Sequence, residues 1–190
     1  MAENNLLKVF LDGTCEGSIW RQKIISMLNI DYFNPIYSFT DCPRLSDLEN
    51  LNKDRDECDY CLYVITPSMQ NSLDLVRAID DSNKHPEKTI LCVLNHEFPI
   101  DTYDFPHYKI NFCIGEMKAF NDIGHIVENN GGKYFTSLEK VASYLNKQGD
   151  EMIHTLDSVT RNQIERKMIY TNCVGIVQFK GRYPLPKIEE

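Results

Sequence analysis

Short apolar runs alternate along this chain with stretches of helical period. Leu6 to Leu11 is the first run, and Asp12-Gly13-Thr14 follows at once, which predicts a strand closed by a turn. Ser18 stands as N-cap of a helix reaching about Asn29, with Ile19, Trp20, Ile24, Ile25 and Leu28 at helical spacing. Asp31 to Pro35 predicts a brief second strand ended by its proline. Residues 38–57 are polar, and Ser46 with Glu49 forms a capping-box pattern for a short charged helix over about 47–55. Tyr60 to Ile65 is continuously apolar, as expected of a parallel strand covered on both faces, and Thr66-Pro67 ends it. A helix is expected from about Asn71 to Asp81, with Leu73, Val76 and Ile79 as its core stripe and Asp74 beside it.

Thr89 to Leu94 predicts another buried strand. Residues 95–114 read as a long loop with an edge strand near Tyr108–Cys113. A helix over about 116–129 is closed by Gly131-Gly132, Lys133 to Phe135 is a short strand, and Thr136 with Glu139 caps a helix ending near Asn146. This alternation predicts an α/β fold, a doubly wound five-stranded parallel sheet sandwich over residues 1–149. Ligands of such sheets sit beyond the carboxyl ends of the strands, which singles out the loops 12–18, 34–40 and 66–72. Residues 150–190 form a C-terminal helix-plus-strand extension: a polar helix over about 151–168, then Cys173 to Phe179 as a strand. The extension is expected to cover a sheet edge or to make an oligomer contact.

Composition narrows the functions open to such a fold. Lys and Arg total 20 against 28 Asp and Glu, a formal charge of -8, which argues against a phosphate-tracking surface and so against nucleic acid. One pocket can still be locally positive. No apolar run approaches a membrane span and the start lacks a signal-peptide pattern, so a cytoplasmic protein without a membrane partner is expected. The seven cysteines are scattered and odd in number, which fits reduced thiols. Cys58 and Cys61 form a C-x-x-C, but three residues apart on one strand they would face opposite sides, so buried packing is the reading. No zinc-ligand spacing occurs, and neither a metal nor a cofactor is expected. The first loop is neither G-x-G-x-x-G nor a P-loop, although Gly13 and Gly17 allow close backbone approach to a ligand.

Several blocks, taken in order, carry a resemblance. They are Lys8 to Thr14 (KVFLDGT), Trp20-Arg21, Tyr32 to Pro35 (YFNP), Cys58 to Pro67 (CDYCLYVITP), Asp80 to Lys84 (DDSNK) and Glu87 to Thr89. Together they resemble the nucleoside 2-deoxyribosyltransferase-like family, in its bacterial and phage branch, over roughly residues 6–147. The resemblance implies a flavodoxin-like fold and a nucleoside or nucleotide bound at the strand ends. It also implies cleavage of the N-glycosidic bond by a helix carboxylate that attacks C1′. Related enzymes often complete their sites with a neighbour's C-terminal segment, so a homo-oligomer is expected.

Carried onto this chain, the resemblance places Phe10 where active transferases often have Tyr, with Asp12, Gly13 and Thr14 as a pocket floor. Trp20, Asn34, Pro35, Thr66 and Met69 complete the expected ligand-binding set. The nucleophile depends on register. Aligning on Glu-x-x-x-Ala gives Asp74, with Ala78 four residues on, whereas aligning on the Asp80 to Lys84 block gives Val76. The two positions lie about 200° apart around a helix, so only one of them can face the pocket. Two further functions stay open: a catalytically impaired protein that binds or sequesters a nucleotide, and a partner-binding role centred on 150–190. His96-Glu97 at a strand end and Arg44 in the polar segment are secondary candidates.

Overall fold

The computed structural model describes residues 7–15, 18–35, 52–69, 72–96 and 111–155. Its centre is a sheet of β1 (Lys8–Gly13), β2 (Asp31–Phe33), β3 (Tyr60–Ile65), β4 (Thr89–Val93) and β5 (Lys133–Phe135). The order is β2-β1-β3-β4-β5 and every pairing is parallel, a flavodoxin-like arrangement. The long helices are α1 (Trp20–Met27), α2 (Leu73–Lys84), α3 (Ile114–Asn129) and α4 (Leu138–Thr155).

Alternation along the strands divides the core in two. Val9, Leu11, Leu62, Val64, Ile90 and Cys92 point to one face and pack with Trp20 and Ile24 of α1 and Leu138, Val141 and Leu145 of α4. Phe10, Cys61, Tyr63, Ile65, Leu91 and Val93 point to the other, beneath Leu75 and Ala78 of α2 and Phe120 and Val127 of α3. Both faces are covered, which is why the central strands read as unbroken apolar runs.

Four local expectations are corrected. First, α1 begins after Ile19, which has no side-chain cap bond, so Ser18 is not the N-cap, and the helix stops at Met27. Second, Cys58 precedes β3 in a turn, so the alternation rule does not reach it, and it joins Cys61 in the same core cluster. Burial pushes the two thiols up to about 11 and about 12, away from the thiolate a reactive pair needs. Third, Ser137 rather than Thr136 caps α4, its Oγ accepting from Lys140 N at 3.3 Å.

Fourth, α4 does not end near Asn146 but runs on to Thr155, across the expected boundary at 149/150. Its buried stripe Leu138, Val141, Ala142, Leu145 continues through Gly149 to Met152, which packs on the core. Gly149 sits against Ile30, where an added Cβ would lie 2.5 Å from Cγ2. It is a close-packing site, not a helix stop.

Near the polar segment the described chain is helical over 52–56, whereas Ser46 and Glu49 lie outside the described residues. So do Gly17, Arg44, Glu97 and the expected strand Cys173 to Phe179. Of the expected edge strand, the described part contributes one antiparallel bridge, His96 to Asn111. Among the described residues no helix is long and apolar enough to cross a membrane.

Candidate functional site

The sheet reverses its winding between β1 and β3, and beyond their carboxyl ends the described start of the first loop, Gly13 to Cys15, is tightly tied down. Gly13 has φ +116°, and a Cβ there would lie 2.1 Å from Val64 O, so only glycine lets β1 leave the sheet alongside β3. The space that glycine provides is filled by the Val64 backbone, so the close approach seen at Gly13 is to β3. Thr14 is buried and locks the two loops together: its N–H donates to Val64 O at 2.8 Å and its Oγ1 accepts from Thr66 N at 3.0 Å. The Thr14 carbonyl accepts from Trp20 Nε1 at 2.6 Å and Arg21 Nη1 at 2.7 Å. Arg21 also donates to Gly13 O and lies over the Trp20 ring at 4.4 Å.

On this rigid floor stands a charged cluster. Asp12 follows Phe10 on the face that α2 covers, and it is almost wholly buried. Its Oδ1 accepts from Gly13 N at 2.9 Å, and its Oδ2 lies 3.7 Å from Arg77 Nη1. The same nitrogen lies 3.9 Å from Asp74 Oδ1. One guanidinium is thus shared between two carboxylates, at separations too long for hydrogen bonds. Asp74 is 18% exposed, and burial, then the neighbouring Asp12 charge, pushes its carboxyl above the usual carboxylate range, with Arg77 and Arg21 opposing. Cys15 completes the rim. Its thiol donates to Gly13 O, accepts from Arg21 Nη2 at 3.5 Å, and is held above its ordinary value by burial.

The rotation of α2 decides which of two side chains enters this cluster. The expected stripe of Leu73, Val76 and Ile79 is overturned: Leu73 and Val76 are 52% and 59% exposed, while Leu75, Ala78, Asp81 and Ser82 are buried. Ala78 is small enough to let the helix approach the sheet, and Asp81 bonds to Tyr63 from β3. With the helix pinned this way, Asp74 turns toward the strand ends and Val76 away from them.

The other expected residues separate into scaffold and rim. Phe10 has no exposed surface and stacks on Phe33 at 5.4 Å, so it is core beneath the charged cluster. Trp20 is equally buried and holds the loop. Thr66 is buried, and Pro35 is also buried. Asn34 and Met69 are half-buried at the same end of the sheet. Arg21, Arg77, Cys15 and Ser68 were missed by sequence reasoning. A usable signal existed for Arg77, three residues after Asp74 on a predicted helix. Buried atoms without a hydrogen-bond partner, among the described residues, are Arg21 Nε, Asn34 Oδ1 and Ser68 Oγ, and all belong to loops or helix starts at this end.

Elsewhere the candidates are weaker. A concavity of about 360 Å³ opens beyond β4 between Asn95, Phe112, Ile114, Met117, Lys118 and Asn121. None of these belongs to the Asp12–Asp74 cluster. His96 is exposed near that opening, and among the described residues no group of His, Cys, Asp or Glu is arranged to hold a metal ion. No family model, no curated protein and no solved structure matches the chain.

Proposed function

We propose that the chain cleaves or exchanges the N-glycosidic bond of a (deoxy)nucleoside or nucleotide, with Asp74 as nucleophile. The observation that carries this reading is the placement of Asp74: a half-buried carboxylate facing the β1/β3 switch point, beside a second carboxylate and under-satisfied by its one shared arginine. In the reaction an Asp74 oxygen attacks C1′ as the C1′–N bond breaks, and the bonding pair leaves with the base nitrogen, which takes a proton from water or an acid. The sugar is then held as an ester of Asp74. Water, or the nitrogen of a second base, attacks C1′, loses a proton, and frees the carboxylate. A cytoplasmic location and a homo-oligomer belong to the same reading.

Incubation with a panel of deoxynucleosides and their 5′-monophosphates, followed by chromatography for free base, tests it. Base release that disappears in Asp74→Asn is the expected outcome. Release that persists in that variant removes Asp74 from the chemistry.

One observation favours a second reading, a protein that binds or sequesters such a ligand without turning it over. The residue beneath Asp12 is Phe10, sealed in the core, so it offers no hydroxyl to orient a nucleophile. No base release, together with a ligand-dependent rise in melting temperature, would select this alternative.

A further inference from the structure

We propose that Arg77 is the positioning residue of this site: its guanidinium, divided between Asp12 and Asp74, keeps the Asp74 carboxylate ionised and turned toward the strand ends. The inference rests on the reading of Asp74 as nucleophile, and it adds a residue that the family resemblance did not supply. Three observations carry it. One nitrogen, Arg77 Nη1, stands 3.7 Å from Asp12 Oδ2 and 3.9 Å from Asp74 Oδ1, so each carboxylate sees the same cation. Asp12 is nearly sealed from solvent, so water cannot screen it and its charge falls on Asp74. Arg77 lies one turn after Asp74 on α2, where the helix sets the spacing of the two side chains.

Among the described residues, the charged and titratable groups facing Asp74 are Asp12 and Cys15 from β1 and its loop, Arg21 from α1, and Arg77 from its own helix. Arg21 is already engaged with the carbonyls of Gly13 and Thr14. That leaves Arg77 to separate the two acids. Without it, two carboxylates compete for one proton in a poorly hydrated corner, and the acid that takes the proton is no longer a nucleophile.

The test uses the full chain with ¹³C-carboxyl-labelled aspartate, following the Asp74 resonance with pH in parallel with base release. In Arg77→Met the Asp74 midpoint should rise, to a proton concentration about tenfold lower. Arg77→Lys should stay near the starting protein, and Asp12→Asn/Arg77→Met should return most of the way. On substrate, Arg77→Met should lower kcat about 100-fold with little change in KM, and the acid limb of its pH profile should move with the resonance. If Arg77→Met does not fold, Asp12→Asn alone serves: with Arg77 left to one partner, the Asp74 midpoint should fall. An Asp74 midpoint unmoved by Arg77→Met, or by Asp12→Asn, overturns the proposal. A chain that releases no base in any form overturns the enzyme reading instead, while the resonance still decides the role of Arg77.

Discussion

Asp74 and Asp81 lie about two turns apart on the same helix, both turned toward the sheet, and they live in opposite circumstances. Asp81 accepts a hydrogen bond and faces a cation of its own, both at one oxygen. The buried Tyr63 hydroxyl donates to its Oδ2, and Arg55 lies 3.6 Å from the same oxygen. That bond and burial push the Tyr63 phenol well above its ordinary range, so it stays a donor at any physiological pH. Asp74 shares one arginine, without a hydrogen bond, with a competing acid. A buried carboxylate that accepts a hydrogen bond from the core holds a helix in place, whereas one that accepts none is available to a ligand. The lesson is that charge counting cannot separate the two, but partner counting can.

That contrast can be broken or sharpened by substitution. The largest effect belongs to the floor beneath Asp74. Gly13→Ala forces a Cβ into the Val64 backbone at positive φ, and chemical denaturation should show a loss of at least about 3 kcal/mol. Asp81→Ala leaves Tyr63 and Arg55 facing each other without their acid. It should cost about 3 kcal/mol, seen as a fall in Tm of roughly 6–12 °C. Tyr63→Phe removes one donor and keeps the ring in the core, so about 1–2 kcal/mol is expected in the same measurement.

Asp74→Asn is the smallest and has the opposite sign. Because its carboxyl is raised in the folded state, the group favours folding below the ordinary carboxylate range and loses that contribution as pH rises through the raised value. At pH 7 the amide should therefore raise Tm, by about 2 °C, and the gain should shrink as the melts are repeated toward pH 3. A fall in Tm at pH 7 would place Asp74 with Asp81 among the structural acids and dissolve the comparison.

Much of the fold was legible because it depends on period and punctuation. The apolar runs of β1, β3 and β4 and the turns after them are local signals, and their all-parallel order follows from helices between strands. What escaped depends on three-dimensional placement. Leu73 and Val76 look like a core stripe, yet the helix is rotated by Ala78 and by the Asp81–Tyr63 bond, and the second of these involves a strand residue that periodicity cannot see. The same rotation separates Asp74 from Val76, two positions between which the alignments were divided, the gap-free one from Thr66 to Lys84 pointing to Val76. Asp12 and Asp74 were legible as candidates. Their common arginine was legible only in part: its i,i+3 spacing from Asp74 is a helix signal, but its approach to Asp12 on β1 leaves no pattern in the sequence. The Asp80 to Lys84 block that carried part of the resemblance turns out to be architectural: Asp81 and Ser82 are buried, and Ser82 Oγ accepts from Asn130 Nδ2 at 2.9 Å.

The uninterrupted course of α4 sets a polarity for the whole molecule. The helix starts beside the carboxyl end of the sheet and returns to the other pole. There Asn146 Nδ2 donates to Met27 O and Tyr60 donates to Gln148. Eighteen residues of helix carry the chain about 27 Å from the level of the charged cluster. A fusion joined after Thr155 is delivered at the far side of the sheet from Asp74. Cutting the chain at 149 has a different result: it strips Met152 from the core and frays the last turns of a load-carrying helix. A division at 149/150 therefore cuts through a continuous helix and not between two units.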